Sequence, residues 1–490
     1  MNALPHQPSL YEINTRVWLR QFDTPSNRAS LDDVPDILWD ELADKGIHII
    51  WLMGVWKINA QALRQRDMIA DLTIGYDAAL PDWTEEDVIG SPYAVDDYVV
   101  ADDLGGNKAI KRLHCKLQKR GLRLMLDFVP NHFSQASHLV NDRPEVFIHH
   151  PAEQTVTDSS LYFAAKTGDQ FAFGRDPLFA PWGDTAQVNY AAAEARQYMQ
   201  DSLLKIADLC DGVRCDMAML MLNDIFSRTW HEHVDCSGLE QADEFWQQAI
   251  SVVKESHNGF IFMAEAYWDT EWRLQQLGFN YTYDKRLTDL LHESNVAAIK
   301  GHLHADQNYQ QRSVRFLENH DETRAVAALG RDRSLAAAVI VSTLQGMHFY
   351  HDGQFQGLKV RVPVQLGRAP IEEVDSYVED YYQRILEATK AEIFTDGDWQ
   401  LLAPQSAWSD NNSHNQMLAW HWQRENEHRI VVVNYSETLG QCRLFFDAPQ
   451  QEIYLTDILN HTNYERDGRE IKQSGLFVEL GAYQSHIFAF

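Results

Sequence analysis

Residues 190–219 read "YAAAEARQYMQDSLLKIADLCDGVRCDMAM", and the two parts of this stretch follow different periods. Positions 190–210 carry apolar residues at helical spacing, and 211–219 form a short apolar run of the buried-strand type. A helix feeding a strand that is apolar on both faces is the repeating unit of a covered parallel sheet. The strand also carries charge. Arg214 and Asp216 are two residues apart, so on a strand they point to the same face. A carboxylate among Val, Cys, Met and Leu is costly unless something holds it. The neighbouring guanidinium can do so, and can aim it.

The same alternation runs through most of the chain. "GIHIIWLMG" (46–54), "LRLMLDFVP" (122–130), "GFIFMAEAY" (259–267), "GFNYTYD" (278–284), "RSVRFLENHD" (312–321) and "GMHFYHDG" (346–353) read as further strands. "RVWL", near residue 17, reads as the first of the series. Helical patterns stand between them, such as "NKAIKRLHCKLQKRG" (107–121), with an Asn cap and a closing Gly, and the stretches near 239–256, 286–300 and 333–345. About eight strand-then-helix units, closed on themselves, make an α/β fold of the (β/α)8 or TIM barrel type. A doubly wound sheet is the alternative, but no Gly-rich phosphate fingerprint follows the first strand. Residues 133–188 break the rhythm as a loop-like excursion after strand three. From 397 the pattern becomes strand-like with intervening turns, which predicts a C-terminal antiparallel β-sandwich over 397–490 after a barrel spanning 1–396.

Composition narrows the partners. The 490 residues carry 42 basic and 71 acidic side chains, a net charge of −29. Such a surface repels nucleic acid and anionic membranes, and leaves small neutral molecules open. No apolar run of about 18 residues suggests a membrane span. The N-terminal stretch lacks a basic segment followed by an apolar one, so a cytoplasmic location is expected. Cys115, Cys210, Cys215, Cys236 and Cys442 form no CxxC pair, which argues for reduced thiols and against a zinc site.

In such a barrel the active site forms at the C-terminal ends of the strands. The polar residues there are Asp127, Asn131 and His132 after strand three, Arg214 and Asp216 on strand four, Glu265 on strand five, and His320 and Asp321 after strand seven. Arg214 would keep Asp216 ionised. Glu265 follows the apolar "FIFMA", and desolvation would suit it to donate a proton. One ionised and one protonated carboxyl is the arrangement of a retaining glycosidase. Tyr93 and Trp268 are candidate stacking faces for sugar rings.

These residues resemble the α-amylase family, glycoside hydrolase family 13. "DFVPNH" (127–132), "GVRCDMA" (212–218), "FMAEAYW" (262–268) and "FLENHD" (316–321) look like its four signatures, in order. "GSPYAVDDYVVADDLGG" (90–106) resembles the segment with a ring-stacking tyrosine. The resemblance implies Asp216 as nucleophile beside Arg214, Glu265 as acid/base and Asp321 as transition-state stabiliser. It implies His320, His132, Tyr93 and Trp268 on the sugar, Asp127 and Asn131 as structural neighbours, and 133–188 as the family's domain B. The substrate implied is an α-linked glucoside, a malto-oligosaccharide or a disaccharide.

Three departures accompany the resemblance. The Lys-His pair that usually follows the nucleophile is Met219-Leu220 here, which predicts a more apolar acceptor side. The loop after strand eight reads "GMHFYHDGQFQG", without the usual Pro and "YYGxE". A family-type calcium site would fall on Asn131 and Asn189 in "WGDTAQVNY" (182–190), a pair poor in the charged oxygens that Ca²⁺ prefers. No organic or redox cofactor is implied. Transglycosylation or phosphorolysis by the same residues, and a non-catalytic binding role, remain as alternatives to hydrolysis.

Overall fold

The computed structural model describes residues 4–58, 68–154, 156, 158–448 and 452–490. Its centre is a closed barrel of eight parallel strands: β1 (Ser9–Asn14), β2 (Ile49–Met53), β3 (Arg123–Phe128), β4 (Gly212–Cys215), β5 (Ile261–Ala264), β6 (Tyr281–Tyr283), β7 (Ser313–Arg315) and β8 (Met347–His351). They follow one another around the barrel in chain order, and β8 closes on β1 with Leu10 opposite Phe349. The first strand is Ser9–Asn14 and not "RVWL". Residues Thr15–Trp18 turn into a short helix, because the strand has already reached the rim by Asn14.

Side chains alternate across the barrel wall. Leu10, Ile49, Trp51, Met53, Met125, Ile261, Met263, Tyr283, Val314, Phe316, Met347 and Phe349 fill the interior as one buried cluster. Their neighbours Ile50, Leu52, Leu124, Leu126, Val213 and Phe262 pack outward against the helices. Counting two residues on from this inward row, which buried Arg214 continues on β4, reaches Glu12, Asp127, Asp216, Glu265, Glu318 and His351 at the C-terminal rim. The same parity that builds an apolar plug at the base therefore delivers charge to the mouth.

The helix in "NKAIKRLHCKLQKRG" starts two residues earlier than its Asn cap suggests. Gly105, at φ +96°, caps Gly106–Gln118, and Asn107 lies inside the helix, its Oδ1 accepting from Val100 N (2.9 Å). The excursion 133–188 holds short strands. His132–Ser134 pairs with Thr185–Gln187, and His149–His150, Gln170–Ala172 and Tyr162–Ala164 form a small sheet.

Beyond 397, a six-stranded antiparallel sheet faces a two-stranded one, Gly440–Leu444 with Leu476–Leu480. Ala419, Ile430, Val432, Cys442 and Val478 fill the space between them. The opposite face carries Leu418, Trp420, Trp422, Val431 and Val433 into the main core beside the barrel helices. Trp422 Nε1 donates to Thr343 O (2.7 Å) across that junction. Two covered faces explain the six successive buried residues of Met417–Trp422. A helix, Gly468–Ser474, interrupts this domain. Among the described residues no helix is long and apolar enough to cross a membrane.

Candidate active site

A cavity of about 360 Å³ opens at the C-terminal rim of the barrel. Asp216, Glu265, Asp321, Tyr93 and His132 line it, with Ser91, Trp182, Asp184, Met217 and Gln365. The three acids expected from the sequence, spread from residue 216 to residue 321, thus meet at one opening.

Arg214 forms the floor. It is fully buried, and its guanidinium lies over the rings of Tyr93 (5.3 Å), Trp51 (5.4 Å) and Tyr283 (5.8 Å). Its Nη1 donates to Asp216 Oδ1 at 2.6 Å, and its Nη2 makes an ion-pair contact with Glu265 Oε2 at 2.8 Å. One cation therefore serves two carboxyls, where the sequence suggested service to Asp216 alone. Burial pushes both carboxyls above their ordinary range, and Arg214 draws each partly back.

Glu265 has two further donors. Met217 N lies 2.7 Å from its Oε2, and Tyr267 OH 2.9 Å from its Oε1. Met217 reaches this position only in a left-handed conformation, φ +42°, which costs a non-glycine residue strain and is typical of functional sites. The chain then tightens into the helical turn Ala218–Met221. Met219 and Leu220 go into the hydrophobic core, and Met217 is the apolar side chain that lines the cavity. The replacement of the Lys-His pair thus alters packing behind the site more than its surface.

Asp321 differs from the other two acids. Half its side chain is accessible through the cavity. Its surroundings would raise it, but His320 Nε2, 3.0 Å from its Oδ2, brings it down to about 2. His320 is buried between Tyr93, stacked at 5.2 Å, and Trp51, edge-on at 5.7 Å. Tyr93 OH is 2.8 Å from His320 Nε2, and one face of its ring rests on this imidazole. His132 packs against Trp182 at 5.1 Å, and burial depresses it to about 4, leaving it a neutral imidazole.

Asp127 lies below the cavity. It accepts from Trp51 Nε1 (3.1 Å) and Gly54 N (2.8 Å), clamping the end of β2 to β3, and burial raises it to about 6. Gly54 is required there: at φ +76°, an added Cβ would meet Pro92 Cβ at 2.9 Å.

Trp268 is not brought into the cavity. Left-handed backbone at Trp268 and Asp269 turns the chain outward just past β5, leaving Trp268 37% exposed. Tyr267 takes the inner position and Trp182 supplies the aromatic wall. Sequence reasoning also missed Asp184 and Glu12. Glu12 carried a legible signal, a lone acid inside the apolar "SLYEIN", once that stretch is taken as the first strand.

Calcium does not fit the residues suggested for it. Asn131 Oδ1, Asn131 O and Val188 O do converge, but on the Gln187 side-chain nitrogen, which donates to them at 3.0, 3.0 and 3.1 Å. Gln187 is fully buried. Asn189 Oδ1 accepts instead from Ala191 N at 3.1 Å. A hydrogen-bond donor thus occupies the centre of the oxygen set. Among the described residues no group of three or more His, Cys, Asp or Glu could hold a metal.

Comparison with known proteins agrees with this architecture. The family described as "Alpha amylase, catalytic domain" matches residues 40–426. "Alpha-amylase MalA" of Haloarcula japonica is 23% identical over 429 residues, covering 87% of this chain and 55% of that protein. "Alpha-amylase 3" of Dictyoglomus thermophilum is 22% identical over 316 residues, covering 59% of this chain and 58% of that protein. The chain spans a little over half the length of these curated relatives. Among solved structures, a maltogenic α-amylase from Thermotoga neapolitana superposes with a TM-score of 0.70 at 18% identity, over 99% of both chains. A cyclic α-maltosyl-(1→6)-maltose hydrolase from Arthrobacter globiformis does so with a TM-score of 0.66 at 14% identity, over 100% of both chains. These structural likenesses carry the fold, while the match over 40–426 carries the family: the chain belongs to the α-amylase family, glycoside hydrolase family 13.

Proposed function

We propose that the protein is a retaining α-glycoside hydrolase acting on small α-linked glucosides, such as malto-oligosaccharides. Asp216 attacks the anomeric carbon and forms a covalent glycosyl ester as Glu265 protonates the departing oxygen. Glu265 then takes a proton from water, which hydrolyses the ester. Asp321, held ionised by His320, grips ring hydroxyls and stabilises the positive charge of the transition state.

The observation that carries this reading is the shared guanidinium. Asp216 and Glu265 each contact one terminal nitrogen of Arg214, which favours the close spacing of a retaining pair, about 5–5.5 Å, over the wider inverting gap. Burial raises Glu265 and so favours the protonated form that a proton donor needs. Water or a sugar hydroxyl is the better acceptor. Phosphate would enter a cavity lined by Asp184, Asp216, Glu265 and Asp321, whose buried cation Arg214 is already taken. On the same reading 1–396 is the catalytic barrel, 133–188 its domain B and 397–490 an accessory β-sandwich. The protein works in the cytoplasm, in keeping with its free cysteines.

The test is a panel of α-glucosides assayed with and without phosphate, using wild type, Asp216→Asn and Glu265→Gln. Each variant should fold normally and lose about 10⁴-fold or more in kcat/KM, since both remove interactions made in the transition state. Near-wild-type turnover by either variant would overturn the assignment, and phosphate-dependent release of glucose 1-phosphate would replace hydrolysis with phosphorolysis.

A further inference from the structure

Glu12 lies on β1, two positions above Leu10 on the inward row, and it is fully buried. Its Oε1 is 2.6 Å from His320 Nδ1. Among the described residues its Oε2 has no hydrogen-bond partner, and His351 Nε2 lies 3.9 Å from it. On the far side of the imidazole, Nε2 faces Asp321 Oδ2 at 3.0 Å and Tyr93 OH at 2.8 Å.

Each ring nitrogen therefore faces a carboxyl oxygen, an acceptor when ionised, and the Tyr93 hydroxyl beside Nε2 can accept from it as well. A neutral imidazole carries a single N–H and could satisfy one of them. Two N–H groups satisfy both, and they make the ring a cation. A buried carboxylate is stabilised by a charged partner at hydrogen-bond distance, and His320 is that partner for Glu12. We infer that Glu12 is a positioning residue that holds His320 doubly protonated, and through it keeps Asp321 ionised and aimed into the cavity.

The surroundings support this assignment. Burial alone would strip the proton from His320, but Asp321 and Glu12 on either side outweigh it and hold the ring well above its ordinary range. β2 presents the uncharged Trp51, β3 Asp127, β4 Arg214 and Asp216, and the loop at 91–93 the phenol of Tyr93. From β8 comes His351, whose Nδ1 is taken by Arg324 Nη1 at 2.8 Å, and Glu318 after β7 is paired with that same arginine at 2.6 Å. Glu12 is thus the acid committed to His320 from beneath. The ring cannot turn away from it, being held between Tyr93 and Trp51.

The NMR part of the test is independent of the proposed glycosidase reading, and the kinetic part rests on it. Full-length protein labelled with ¹⁵N-histidine is titrated by long-range ¹H–¹⁵N correlation, with His320 assigned by its loss in His320→Gln. In wild type, His320 should keep N–H on both nitrogens through pH 8. In Glu12→Gln, which keeps the size and can still accept from Nδ1, the ring should lose a proton below pH 8. A lower His320 pKa means that the protonated form is lost earlier as pH rises. The alkaline limb of kcat/KM should therefore move down by about one pH unit or more. A neutral His320 in wild type at pH 7 would overturn the proposal, and that readout stands even if Glu12→Gln fails to fold. An unchanged titration of His320 in the folded variant would overturn it too. A shifted titration with an unmoved kinetic limb would leave the pairing intact and remove the role of His320 in the reaction.

Discussion

Two buried cations divide the mouth of the barrel, and each lies between two acids. Arg214 stands between Asp216 and Glu265, and His320 between Asp321 and Glu12. The outcomes are opposite. Asp216 and Glu265 sit above the ordinary carboxyl range, whereas Asp321 sits at about 2. Position in the barrel accounts for the difference. Around Arg214 both acids line the cavity and are desolvated, so one guanidinium compensates neither fully. Around His320 one acid lies beneath and only Asp321 reaches the cavity, half open to it. The first half can hold and release a proton, and the second offers a fixed negative charge. A glycosidase needs both.

The comparison can be broken most severely at Arg214. Lysine is a point charge and cannot bridge two carboxyls with two nitrogens. Arg214→Lys should lower kcat/KM about 10³-fold, with an altered acid limb in the pH profile, measured on the best α-glucoside of the panel. A smaller effect is expected in the other half. Asp321→Asn keeps the shape and one acceptor oxygen, and should cost about 10²-fold in kcat with KM less affected. Equal losses with unaltered pH profiles would erase the distinction between the halves.

The smallest effect concerns the junction beside the site. Because the Gln187 amide already satisfies Asn131 and Val188, removal of divalent cations should leave Tm unchanged in differential scanning calorimetry. Gln187→Glu would set a carboxylate among three oxygens. It should lower Tm in EDTA, and added Ca²⁺ should restore part of the loss. A wild-type Tm that falls on chelation would show that a cation contributes after all.

Much of this was legible in the sequence because a barrel strand has a period of two. Once "GVRCD" and "FMAE" are taken as strands, the inward parity carries Arg214, Asp216 and Glu265 to one rim, and the structure brings them together there. Where the backbone leaves that period, residue order stops indicating direction. Past the left-handed Met217, Met219 and Leu220 pack into the core, and past β5 the left-handed Trp268 and Asp269 carry the chain outward, while Tyr267, still in step with Glu265, keeps the inner position. Glu12 was hidden by the choice of "RVWL" as the first strand, since the short helix there has as apolar a look as the strand before it. The strands of 133–188 are two or three residues long, too short for any period to register. Trp182 and Asp184, which arrive from that excursion, could not be assigned to the site from sequence.

The account depends most on Asp216 and Glu265 acting at one anomeric carbon through a covalent ester. ¹H NMR of the first-formed product, taken before mutarotation, tests it directly on a malto-oligosaccharide. Release of the α-anomer at the newly formed reducing end is the predicted result, and initial release of the β-anomer would contradict it.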